Sequence, residues 1–165
     1  MVDPGGNARS ESRRRCQLRA TDDTLILAHM GWVFFKVDFE GKACHSGAKA
    51  EGVSAIEKAS QSNSGLNEME HRWLLTIRHR LLPPPSLNIG VIEGGTAGST
   101  VPGECSFSTC VHYVPTLMNQ DMVVKEFTEV VERISRSDAW MEHIRRRFPF
   151  TRPDTGLRWR RIIRW

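Results

Sequence analysis

No apolar run in this 165-residue chain reaches the roughly 18–20 residues that a membrane-spanning helix needs, so a membrane-embedded function is set aside. The N-terminal stretch MVDPGGNARSESRRR has no apolar core and does not read as a secretory signal. Cysteine is scarce: Cys16, Cys44, Cys105 and Cys110 are too few for a disulfide framework. Without an export signal they are expected as free thiols in a reducing compartment, and the chain is expected in the cytoplasm. No CxxC pair, HExxH or His-x-Asp motif occurs. Cys105 and Cys110 fall on one expected strand and point to opposite faces, whereas a closed zinc site needs about four converging ligands. No metal site is therefore assigned to this chain.

Motifs of other chemistries are missing as well. Without a G-x-S-x-G elbow a serine triad has no support, and Ser46, directly after His45, is poorly placed to converge with it. Gly94–Gly98 (GGTAG) lacks the Gly-Lys-Ser/Thr ending and following helix of a phosphate loop, so a tight sheet turn is expected there. Phe107 and Tyr113 are present, but the basic-aromatic pattern of an RNA-recognition strand is not.

What is present is a globular composition, 39% hydrophobic and 25% charged, at a length that suits one domain. The charge is uneven. Residues 1–20 carry net +3 and residues 144–165 net +7, so with +4 overall the body from 21 to 143 carries −6. Phosphate affinity needs a clustered basic face, and here only the ends are basic, so nucleic acid is an unlikely partner. The division expected is a poorly ordered lead-in over 1–24, a folded body over 25–143 and an Arg-rich tail over 144–165.

Along the body, Leu25–Ala28 could add a short strand, and Trp32–Phe39 (WVFFKVDF) is the clearest one. Its alternation puts Val33, Phe35, Val37 and Phe39 on one face, and Trp32, Phe34, Lys36 and Asp38 on the other. A helix is expected from about Glu51 or Gly52, with a stripe of Val53, Ile56, Ala59, Leu66, Met69 and Trp73. Ser60–Gly65 should bend or split it, and Pro83-Pro84-Pro85 should stop it after Leu82. Leu87–Ile92 and Glu104–Val114 read as strands. Asn119 should cap a second helix whose stripe is Val123, Phe127, Val130, Val131 and Ile134. Phe148–Thr151 could be a fourth strand, and Leu157–Trp165 has no assignable pattern. The order matches an α+β, ferredoxin-like β-α-β-β-α-(β) two-layer sandwich, an antiparallel sheet with helices on one face.

His45 has the best claim to chemistry. A lone loop histidine is ordinarily a solvated side chain, but its small neighbours Ala43, Cys44, Ser46 and Gly47 would let the ring project from a loop held by a scaffold. The wider pattern strengthens that claim. GKACHSG with the following GVSAIEKA resembles the G-K-A-x-H-S-G…G-x-N-A-I motif of the lid, or dimerisation, domain of zinc-dependent amidohydrolases and peptidases. That family includes acetylornithine deacetylase, succinyl-diaminopimelate desuccinylase and aminoacylase. Residues 88–95 (NIGVIEGG) resemble its N-x-G-x-I-x-G-G strand, and VPGEC at 101–105 with YVP at 113–115 resembles V-P-x-x-C…P. The likeness covers about Ala28 to Trp140.

The resemblance implies a lid that pairs with its twin in a homodimer and partners a catalytic domain holding two zinc ions. The expected substrate is a small N-acyl amino acid or peptide, cleaved at its amide bond. It implies that His45 hydrogen-bonds the oxyanion of the intermediate in the partner's active site. Substrate contacts fall on Ser99, where the family often has Asn, and on His112, where some branches have Arg; neither offers the bidentate fork of Arg, which counts against a dicarboxylate substrate. No metal-ligating segment is recognised before residue 28 or after Trp140. The zinc domain is thus expected to be missing, the Arg-rich ends to reflect truncation, and the chain to bind no cofactor and to be inactive alone. The alternative is a non-catalytic dimerisation or binding module.

Overall fold

The computed structural model describes residues 27–147 and 161–164. Strand β1 (Gly31–Glu40) pairs antiparallel with β5 (Glu104–Tyr113) along its whole length, and β3 (Ser86–Gly94) pairs antiparallel with the far side of β5. The backbone of β6 (Arg161–Arg164) adds parallel to β1, giving the order β3-β5-β1-β6. A separate two-stranded unit joins β2 (Cys44–His45) to β4 (Thr100–Val101). Helices α1 (Ala55–Thr76) and α2 (Gln120–Ser137) pack on the sheet face that carries the expected apolar positions, and α3 (Ala139–Arg147) follows α2. This is the mixed α+β sandwich expected from the order of elements. No helix among the described residues is long and apolar enough to cross a membrane.

The core follows the strand alternation. Val33, Phe35, Val37 and Phe39 are buried against Cys105, Phe107, Thr109 and Val111. Phe127 of α2 stacks on Phe35 at 3.9 Å between ring centroids. Trp73 is buried on α1 and donates its indole N–H to Glu126 at 2.9 Å, which satisfies the one polar atom that its burial would otherwise strand. The outer face keeps Trp32 and Phe34 half-exposed beside Cys110 and His112. Asn119 caps α2 as expected, its side chain accepting from the Met122 N–H at 2.8 Å.

Several expectations give way to tertiary contacts. Helix α1 starts at Ala55, not at Glu51 or Gly52. Ser54 caps it by accepting from the Glu57 N–H, while Val53 is held extended by bonds to Lys42. The Ser-rich middle does not bend or split the helix. Ser62 and Gly65 are on the buried face, and a β-carbon at Gly65 would lie 2.3 Å from Ile134 Cδ1 of α2, so a bare glycine there lets the helices come together. Ile56 lies outside the stripe, at 40% exposure, and Ala55, Ser62 and Gly65 extend the buried face instead. The helix ends at Thr76 rather than Leu82: Ile77 is already extended (φ −103°, ψ 117°), and farther on His79 Nδ1 accepts from the N–H groups of Leu81 and Leu82 in a local turn. Helix α3 is unanticipated. It runs across position 143 and is capped by Asp138, which accepts from the N–H groups of Trp140 and Met141. Leu27 and Ala28 are not in a strand, and the rest of that expected strand, with Phe148–Thr151, lies outside the described residues.

Candidate functional site

The site is built on a flap at the β1 C-terminal end of the sheet. Beyond Glu40 the chain must pass close to the start of α1 and to the loop before β5. A β-carbon at Gly41 would sit 2.3 Å from the Val53 carbonyl oxygen and 2.8 Å from the Ala55 nitrogen, so only glycine fits. Main-chain bonds then fasten the flap at four places. The Gly41 N–H donates to Gly103 at 2.7 Å, Lys42 and Val53 exchange a pair of bonds, the Ala55 N–H donates to Pro102, and the Ser46 N–H donates to Ser99 at 2.9 Å. Val101 is buried and anchors the flap. A histidine mounted on this frame is held by backbone on both sides.

His45 ends β2 directly opposite Thr100. Its backbone is extended (φ −66°, ψ 139°), and it caps a six-residue 3₁₀ turn, Ser46–Glu51. The ring is exposed; its Nδ1 accepts from the Gly47 N–H at 3.1 Å, and no partner among the described residues reaches Nε2. Beside it the Cys44 thiol donates to the Ala48 carbonyl at 3.4 Å, a packing role within the turn.

Ser99 is drawn to His45 by the bond between its carbonyl and the Ser46 N–H, and it is exposed. His112 is not drawn there. It lies near the opposite end of β5, paired with Trp32, its ring nitrogens 3.9 and 4.0 Å from Cys110 Sγ. From Glu104 to His112 the strand climbs about 27 Å. One copy of the fold therefore cannot bring His45 and His112 onto one small molecule.

An open groove of about 970 Å³ runs along the outer sheet face between Lys36, Asp38, Glu93 and Ser106 and the flap at Thr100 and Gly103. His45 does not line it. Glu93, Glu104 and Glu40 add negative charge to its walls. Cys105 is in the core and Cys110 on the outer face, so the two thiols do not converge; burial pushes both thiol pKa values up, which suits inert side chains. Among the described residues no group of three His, Cys, Asp or Glu side chains is arranged to hold a metal ion. Gly95 takes a positive φ of 76° after β3, the tight turn expected of the GGTAG stretch. The Gly47 amide contact to the His45 ring was not anticipated from sequence. The available signal was the glycine's position two residues after a histidine at a turn start, where its amide can reach the ring.

The family model described as the peptidase dimerisation domain matches residues 27–139. Among curated proteins, N-formyl-4-amino-5-aminomethyl-2-methylpyrimidine deformylase of Bacillus subtilis is 34% identical over 61% of this chain and 24% of its own length. Acetylornithine deacetylase of Myxococcus xanthus is 36% identical over 50% of this chain and 22% of its own. The chain thus spans about a quarter of the curated relatives it matches. Among solved structures, one from Burkholderia cenocepacia described as an amidohydrolase/peptidase aligns with a TM-score of 0.54 at 20% identity, over 67% of this chain and 26% of that one; it supports the fold alone.

Proposed function

The chain belongs to the peptidase dimerisation domain family, and from that premise we propose that it serves as the lid of a zinc-dependent hydrolase cleaving the amide bond of N-acyl amino acids or small peptides. His45 supplies a hydrogen bond to the oxyanion formed when the amide carbonyl is attacked. The observation that carries this reading is the His45 ring itself: exposed at the tip of a flap that main-chain bonds hold rigid, with Nε2 unpartnered among the described residues. A pre-aimed donor of this kind can lower the barrier by about 2.7–4 kcal/mol, because it needs no reorganisation when the charge develops.

The described residues do not provide a metal centre. In this reading the zinc belongs to a part of the whole enzyme outside the matched quarter. Ser99, beside His45, is a substrate contact of the same flap. His112, a strand length away, serves a different site or a second copy's site, so the reading includes a homodimer. The edge of β3, unpaired among the described residues and with Val91 and Ile92 half-exposed or more, is the proposed seam, since an unpaired strand edge is a template for a twin strand.

The purified chain with added Zn²⁺ or Co²⁺ is expected not to hydrolyse N-acetyl amino acids; metal-dependent turnover by the chain alone would refute the lid assignment. In a whole enzyme carrying this lid, His45→Ala should keep fold and metal content but lose turnover, and wild-type turnover would remove His45 from the mechanism.

A further inference from the structure

Gly47 places a main-chain N–H 3.1 Å from Nδ1 of His45. Nδ1 can accept that hydrogen bond only with its lone pair, so the neutral ring carries its single proton on Nε2. We propose that Gly47 is a positioning residue for His45: its N–H locks the imidazole as the Nε2–H tautomer and leaves that N–H as the outward donor. The inference rests on the proposed role of His45 as a donor to substrate oxygen, and it assigns the donating atom and what secures it.

Three features of the flap support the lock. The bond is a helix-cap bond, accepted by the residue that starts the 3₁₀ turn and donated two residues on, so the extended backbone of His45 aims its ring at that amide. A β-carbon on Gly47 would lie 3.1 Å from Nδ1 and 3.5 Å from Cε1, so the ring closes on the amide partly because Gly47 has no side chain. The turn is pinned on both sides, by the Ser46 N–H on Ser99 and by the Cys44 thiol on Ala48. The chemical consequence is direct. With the proton on Nδ1, the ring would turn a lone pair toward a developing negative oxygen, which repels it; with the proton on Nε2, it turns a donor.

The tautomer is assigned by hydrogen-bond geometry, and nitrogen NMR reads it on the full ¹⁵N-labelled chain at a pH where the ring is neutral. In the wild type, His45 should show a protonated Nε2, a bare Nδ1, and a scalar coupling between the Gly47 amide nitrogen and Nδ1 across the hydrogen bond. Gly47→Pro removes the donor; the coupling should vanish and the ring nitrogens should shift toward those of a tautomer mixture. Gly47→Ala keeps the donor but crowds the ring, and the coupling should weaken. A wild-type ring protonated on Nδ1, or lacking the coupling, would overturn the lock, and that measurement needs no variant to fold. So would wild-type ring shifts in Gly47→Pro with the β1–β5 cross-strand contacts intact. The NMR involves no catalysis: a whole enzyme indifferent to His45→Ala would sink the oxyanion role and leave the lock standing, while a failed lock would leave the oxyanion role to be judged by turnover.

Discussion

Among the described residues His45 makes one side-chain hydrogen bond, accepted from a backbone amide of its own turn, and its ring is exposed. Removing it should therefore cost the fold little, while costing a catalyst much. For His45→Ala we expect a change in unfolding free energy within about 0.5 kcal/mol, measured by urea denaturation of this chain. In a whole hydrolase the same change should lower kcat by about 10²–10³-fold. A large loss of stability would instead mark the ring as structural. The thiols make the opposite case. Burial pushes Cys105 and Cys110 up from their ordinary pKa values, and Cys105 is only 4% exposed. Alkylation by iodoacetamide at neutral pH should be slow at both, and slower at Cys105; fast labelling of Cys105 in the native protein would contradict the burial. At this scale His45 was marked out in the sequence only by the likeness of GKACHSG to the family motif. The partner of its Nδ1 was not, because sequence alone does not show whether the Gly47 N–H turns toward the ring.

Elements are joined in this molecule by a few specific locks. The Lys58–Asp138 pair, 2.6 Å apart and mostly buried, ties α1 to the junction of α2 and α3. Burial alone would raise the Asp138 pKa; the hydrogen bond from Lys58, the N–H groups of Met141 and Trp140 and the charge of Lys58 outweigh it and hold the carboxyl below its ordinary value. A carboxylate depressed in the fold contributes stability above its unfolded value, near pH 4, and that contribution is lost as the pH falls through the folded value. Asp138→Asn should destabilise the chain by about 1–3 kcal/mol at pH 7. The gap from wild type should narrow below about pH 4. Urea titrations at neutral and acid pH decide this, and a gap that stays constant into acid would rule out the charge as its source. The α1–α2 contact is as specific. Gly65→Val puts methyl groups where Ile134 already sits, and should lower stability by about 1–3 kcal/mol by forcing the helices apart; a neutral thermal melt would show that the contact yields. The strands and the α2 stripe were legible from period-two and period-3.6 patterns. Helix α1 was misjudged in its middle because low propensity at Ser62 and Gly65 is overridden by packing that only small residues permit. Its end falls at Ile77, where the backbone turns extended well before the prolines.

The candidate residues divide between two ends of the described fold. The flap holds His45 and Ser99, and the far end of β5 holds His112 among Trp32 and Cys110. If these residues serve one substrate, two copies must contribute, and the chain should sediment as a dimer at micromolar concentration. Ile92→Lys places a charge on the β3 edge, unpaired among the described residues, at a residue that is 59% exposed. It should shift the chain toward monomer with little change in its unfolding midpoint, because an exposed edge position contributes mainly to association. A strict monomer in the wild type, or a dimer indifferent to Ile92→Lys, would move the seam elsewhere.

By itself the sequence determined the class of fold, the apolar faces of β1 and β5 and the cap at Asn119. Those properties are written in local periods and in residue types whose meaning does not depend on distant neighbours. Tertiary structure alone decided that Gly41 is a crossing point, that Gly65 joins two helices, that Asp138 starts a third, and that Ser99 stands beside His45 while His112 stands a strand away. Each of these depends on which atoms meet across dozens of residues of chain, where close packing and backbone hydrogen bonds, rather than intrinsic preference, select the conformation.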